Sequence, residues 1–195
     1  NVAQLHNLPV ILFSLEMSKS QIAMRMLSSE TVIENSCLKT GEISDSQWRP
    51  IAQSSHKISA LPIYLNDCAL PSLSYFETEC RRVSAIERRD IGIIIIDYLQ
   101  LLGDGDRNRN NEIANITRGL KRLAMKLQVP IICLSQLSRA VESRQIKRPV
   151  LSDLRDSGGI EQDADKVLLL YRDEYYNSDS PDRGLCELII SKHRD

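Results

Sequence analysis

No stretch of this 195-residue chain approaches the ~18 consecutive apolar residues of a membrane-spanning helix. No basic-then-apolar leader opens it either. Charge of one sign is not in excess: 25 Lys and Arg stand against 26 Asp and Glu, a net of −1. Any contact with nucleic acid must therefore come from local patches and not from a global basic field. Histidine is scarce, and His6, His56 and His193 lie too far apart to suggest a zinc site. The five cysteines (Cys37, Cys68, Cys80, Cys133 and Cys186) are odd in number and form no CxxC pair. They read as small buried hydrophobes in a reducing compartment, not as a disulfide framework. Also missing is any GxxxxGK[ST] phosphate loop. What is present, 42% hydrophobic and 26% charged residues, suits one soluble globular domain with a sizeable core.

The clearest positive signal is the apolar run from Ile91 to Ile96, which ends on Asp97. A continuous β-branched run of this kind reads as a strand of a parallel sheet, buried on both faces. Around it strands and helices alternate. Residues Asn1 to His6 read as the tail of a helix, with a strand at about Val10 to Leu15 and a helix near Lys19 to Ser29. A helix tail at the start implies a strand and loop upstream. Ser44 begins S-x-x-Q, a capping-box signal before a helix kinked or delayed by Pro50. Ile63 to Leu65 is a short strand, and Ser74-x-x-Glu77 reads as a second capping box opening a helix to about Arg89. Gly103 to Asn111 reads as a mobile loop, followed by a helix from about Glu112 to Gln128. Pro130 to Leu134, Val167 to Tyr171 and Leu185 to Ser191 supply further strands. The expected fold is an α/β, RecA-like core, a mostly parallel sheet flanked by helices, in a single domain over residues 1–195 that stops short of its first strand and phosphate loop.

A carboxylate just past a buried strand lies at the sheet's carboxyl edge, where open α/β folds bind ligands. Asp97 holds that position and matches the Walker B acid, which helps hold Mg²⁺ against phosphates. Glu16 follows the strand ending at Leu15. Beside Asp97 it would complete the pair a nucleotide hydrolase needs, one group for the metal and one to orient the attacking water. The alternative is that Glu16 only favours the first turn of the next helix. Gln136 ends the strand Ile131 to Ser135, where an amide either senses a γ-phosphate or is a polar strand end. Arg139, Arg144, Lys147 and Arg148 make Ser138 to Arg148 a basic loop, and Leu154 to Gly159 reads as a flexible turn. Such loops either track a DNA backbone or are simply solvated. Lys192 and Arg194, at a strand end, could reach a neighbouring subunit's site as an arginine finger.

Four blocks occur in order: Phe13-Ser14-Leu15-Glu16-Met17, Ile96-Asp97-Tyr98-Leu99-Gln100, Leu134-Ser135-Gln136-Leu137-Ser138-Arg139, and the run from Asp153 to Asp165. With them the chain resembles the C-terminal motor domain of the DnaB-type replicative DNA helicases over nearly its whole length. The resemblance implies an ATP-driven, Mg²⁺-dependent homohexameric ring that unwinds the replication fork while moving on single-stranded DNA. It implies Glu16 as catalytic base, Asp97 as Walker B acid and Gln136 as γ-phosphate sensor. It further implies Arg155, Asp156 and Gly158 in the loop that grips the DNA backbone, with Lys192 and Arg194 acting in trans. A primase and a helicase loader are the implied partners, and the bacterial cytoplasm, or else a plastid stroma, the implied compartment. Three departures stand out. The phosphate loop is absent, Asp156 replaces the family's usual Glu and Gly159 a more usual Ser, and Asp195 follows the final Arg where Asn-Gly-Pro is usual. A fragment without the phosphate loop is expected to bind ATP poorly, with that loop roughly 15–25 residues before Glu16 in the parent protein. The alternatives are a non-catalytic RecA-fold module that loads or regulates a helicase, and a RecA-like recombinase-type ATPase.

Overall fold

The computed structural model describes residues 1–68, 71–102, 109–154 and 157–194. In chain order its elements are α1 (Val2–His6), β1 (Val10–Ser14), α2 (Lys19–Thr31), α3 (Asn35–Thr40), α4 (Asp45–Ser59), β2 (Ile63–Asn66) and α5 (Leu73–Glu87). There follow β3 (Ile93–Asp97), α6 (Arg109–Leu127), β4 (Ile131–Cys133), α7 (Ala140–Ser143), α8 (Ser157–Asp163), β5 (Lys166–Tyr171) and β6 (Glu187–His193). The chain divides into two compact units, one of Asn1–Leu101 with Leu127–Leu134, the other of Leu102–Lys126 with Ser135–Asp195.

The first unit is built on a four-stranded, all-parallel sheet in the order β2-β1-β3-β4. Its register sets Ser14 opposite Asp97 and Phe13 opposite both Asn66 and Ile96. The core lies between β1, β3 and α5. Phe13 and Phe76 are fully buried, their rings edge to face with centroids 4.5 Å apart, and Cys80 and Val83 continue the same face of α5. Each such aromatic contributes about 1.5–3 kcal/mol through burial. Ile94 and Ile96 are fully buried, whereas Ile93 and Ile95 are half-buried. The β3 run is thus closed on one face and partly open on the other, not buried on both as its composition predicted.

Several element boundaries follow local hydrogen bonding. Ser18 opens α2 with a full capping box: its hydroxyl accepts from Gln21 N–H and its own N–H donates to Gln21 Oε1 at 3.0 Å. At α4, Ser44 N–H donates to Gln47 Oε1 at 2.9 Å, and the helix begins at Asp45 and runs through Pro50, so the proline does not delay it. The cap of α5 is Ser72, whose hydroxyl accepts from Tyr75 N–H at 3.2 Å; it is not Ser74 as the S-x-x-E spacing suggested. Helix α6 starts at Arg109, inside the segment read as loop, while residues 103–108 lie outside the described set.

In the second unit α6 and α8 pack so closely that a β-carbon on Gly159 would sit 2.6 Å from Ala114 Cα. Thr117 donates to Asp163 Oδ2 at 2.5 Å, and Lys121 pairs with Asp165. The final two strands form their own antiparallel sheet, with β6 at Glu187–His193, later than the predicted span. Its inward residues Val167 and Leu169 are buried, whereas Leu168, Leu170, Leu188 and Ile190 are exposed.

Candidate functional site

At the carboxyl edge of the parallel sheet the backbone determines where the carboxylates go. Leu15 N–H donates to Asp97 C=O at 2.7 Å, extending the β1–β3 pairing one residue past the strand. The buried Ser14 hydroxyl accepts from Met17 N–H at 3.1 Å and fixes the turn that carries Glu16. Glu16 is exposed in the bend two residues past the end of β1, and Asp97 is half-buried at the end of β3, level with Ser14. A third acid, Asp67, follows β2 on this edge. Its carboxylate accepts from Lys19 N–H at 3.2 Å and pairs with Lys19 Nζ at 3.1 Å, tying the start of α2 to the sheet. Hydrogen bonds from Lys19 hold the Asp67 carboxyl below its ordinary range. Asp67 was missed from sequence, because nothing near Asn66-Asp67-Cys68 announces a partner 48 residues away.

Among the described residues no group of three or more His, Cys, Asp or Glu is arranged to hold a metal unaided. Two carboxylates at a sheet edge nonetheless fit Mg²⁺, which binds through one or two carboxylates and takes its remaining ligands from water and substrate phosphates.

The second unit carries the other predicted residues. Gln136 is exposed and stands in chain order just past β4. Arg139 is exposed at the start of α7. The rest of the basic loop is far less free than its composition suggested. Leu137 and Leu154 bridge as an antiparallel pair, and Ser138 N–H donates to Asp153 C=O at 2.7 Å. The buried Asp153 carboxylate binds Arg144 at 2.5 Å and accepts from Val150 N–H at 2.7 Å. Arg148 pairs with Glu187 at 2.5 Å and lies over the Tyr171 ring, while Lys147 donates to Glu142 C=O and lies over Tyr176. Of the four cations, the Arg139 side chain alone makes no hydrogen bond, ion pair or ring contact with a described residue. Gly158 is exposed with open space around it, and Arg155 and Asp156 lie outside the described residues.

Lys192 lies within β6, and its ammonium donates to Glu161 C=O and, at 3.4 Å, to Gln162 C=O, the carbonyls that end α8. Cations favour this end of a helix. Arg194 is exposed, its N–H donating to Asp165 C=O at 2.8 Å. The hydrogen bond from Lys121, with the charges of Lys121, Arg194 and Lys192, holds the Asp165 carboxyl below its ordinary range.

The model of the DnaB-like helicase C-terminal domain matches residues 1–195. The chain belongs to that family. It is 46% identical over 198 residues to the replicative DNA helicase DnaB of Geobacillus stearothermophilus, covering all of this chain and 43% of the relative. The replicative DNA helicase DnaC of Bacillus subtilis is 43% identical, with the same two shares. A probable replicative DNA helicase of Trieres chinensis is also 43% identical, covering 100% of this chain and 44% of its own length. The chain thus spans less than half the length of these curated relatives. Among solved structures, an isolated ATPase domain superposes with a TM-score of 0.91 at 40% identity, covering 97% of this chain and 68% of that one. A DnaB-like replicative helicase described with its primase interactions matches equally well, at 46% of its length. The parallel sheet of the first unit therefore belongs to a RecA-like ATPase domain.

Proposed function

We propose that the parent protein is a replicative DNA helicase that hydrolyses ATP and translocates on single-stranded DNA as a homohexameric ring. The observation that carries this reading is the sheet edge itself, where adjacent strands of a RecA-like sheet end with Asp97 level with Ser14 and Glu16 two residues beyond. Asp97 helps hold Mg²⁺, which when bound offsets charge on the β- and γ-phosphates. Glu16 orients the attacking water and takes its proton as that oxygen bonds to the γ-phosphorus and ADP leaves. Gln136 senses the γ-phosphate. Arg139, Arg155, Asp156 and Gly158 contact the DNA backbone. Arg194 acts on the neighbouring subunit's ATP, and Lys192 joins it only by releasing the α8 carbonyls it now binds.

A primase and a helicase loader are the proposed protein partners, in keeping with the primase named for one structural relative. The proposed compartment is the bacterial cytoplasm, with a plastid stroma as the second possibility because one relative comes from a plastid-bearing alga. Among the described residues no helix is long and apolar enough to cross a membrane.

ATP hydrolysis by the full-length parent, with and without single-stranded DNA, tests this reading. DNA-stimulated hydrolysis that collapses in Glu16→Gln is expected. A folded, ring-assembled parent with no hydrolysis would leave a helicase-regulating module as the better reading.

A further inference from the structure

We propose that one face of α6 is a second track for the single-stranded DNA backbone, built on Arg118 and Arg122; this rests on the helicase reading above. The three faces of α6 have separate tasks. Ile113, Leu120 and Leu123 are buried. Thr117 and Lys121, one turn apart, reach Asp163 and Asp165. Asn111, Asn115, Arg118 and Arg122 fall at spacings of four, three and four residues, which places them on one stripe, and all four are exposed. At a rise of about 1.5 Å per residue the stripe runs for about 16 Å.

The chemistry of that stripe is one-sided. It offers amide and guanidinium groups and no carboxylate, and no hydrogen bond or ion pair with a described side chain engages any of the four. Guanidinium groups match phosphate oxygens with paired, charge-assisted hydrogen bonds. At one end the stripe opens on a cleft of about 270 Å³ between α6 and α8, lined by Asn111, Arg118, Gly158 and Gln162. The single carboxylate there, Asp163, accepts from Thr117 at 2.5 Å. Gly158 is the described member of the proposed DNA loop, and it shares the cleft with Arg118. A backbone held at Gly158 therefore has cations laid out beyond it along α6. The absence of any Glu or Asp on the stripe favours a polyanion over a mixed-charge protein surface.

The test is anisotropy of a labelled oligothymidylate bound to the full-length parent across a salt series. Single strands lose about 0.7 of the log–log salt slope for each phosphate contact removed. Arg118→Ala and Arg122→Ala are each expected to flatten the slope by about that amount for every subunit of the ring that touches the strand, and the double variant by about twice as much, whereas Arg118→Lys keeps it. Arg183→Ala, on an exposed loop, is the charge control and is expected to leave the slope unchanged. If Arg118→Ala unfolds by circular dichroism, Arg118→Gln reads the same charge. Wild-type binding with unchanged slopes in both α6 variants overturns the inference but not the helicase reading. Loss of the hexamer with the slope intact overturns it in favour of a subunit contact. No DNA binding by the wild type overturns the helicase reading and the inference together.

Discussion

At Gly159 the missing side chain lets α8 approach α6, since a β-carbon would meet Ala114 Cα at 2.6 Å and Ala114 Cβ at 2.7 Å. The family's more usual Ser is therefore not neutral on this backbone. Gly159→Ser should destabilise the fold by about 1–3 kcal/mol, read as a lower melting temperature. Ala114→Gly should recover only part of that, because the backbone of residue 114 still stands in the way. No stability change in Gly159→Ser would mean that the two helices separate freely. Cys80 gives a second residue-scale prediction. Burial first, then the charges of Glu79 and Glu77, push its thiol up to about 12. The thiolate is the reactive form, so near pH 8 Cys80 should resist iodoacetamide until the protein unfolds, whereas the exposed Cys186 should react promptly. Mass mapping of alkylated peptides checks this, and early labelling of Cys80 would contradict its burial.

Single caps decide where helices start. Ser72 bonds Tyr75 N–H directly, whereas Ser74 Oγ lies 2.8 Å from Ser72 Oγ and caps nothing. Ser72→Ala should therefore cost about 1 kcal/mol in urea unfolding, and Ser74→Ala clearly less. Equal costs would return the cap to Ser74. The sequence misplaced this cap because Ser74-x-x-Glu77 carries the capping-box signature and Ser72-x-x-Tyr75 does not, yet the signature cannot tell which serine has left the helical backbone. Strands were legible where β-branched runs are long, as at Val10 and Ile93, and so were the two edge carboxylates, because strand ends are visible in one dimension. The antiparallel pairing of β5 with β6 was not legible, since alternation shows faces but not partners. The basic loop failed for the same reason. Arg144, Lys147 and Arg148 look alike in sequence, yet Asp153, Glu142 and Glu187 engage them in turn, two of these across the fold's turns and strands.

In the proposed ring each subunit's strand end would meet its neighbour, so a trans role for Arg194 makes a prediction that a role within one subunit does not. Its backbone N–H is tied to Asp165 C=O, while its side chain is exposed and free to serve another chain. In the proposed reading Glu16 serves the ATP bound by its own subunit. Full-length Glu16→Gln and Arg194→Ala proteins should each be nearly inactive as homohexamers. After subunit exchange, a mixed ring would contain junctions that pair an intact Glu16 with an intact neighbouring Arg194. If Arg194 acts in trans, mixing two inactive proteins should restore hydrolysis, to roughly a quarter of wild type at equal proportions if subunits mix at random and junctions act independently. If Arg194 acts within its own subunit, every active site in the mixture still lacks one group and no activity returns. Exchange itself is checked by mass spectrometry of differently tagged subunits, so silence in a well-mixed ring would assign Arg194 to its own chain. Lys192 separates further. Lys192→Ala should lower thermal stability, because its ammonium caps α8, and Lys192→Ala mixed with Glu16→Gln should show complementation only if it also serves the neighbour.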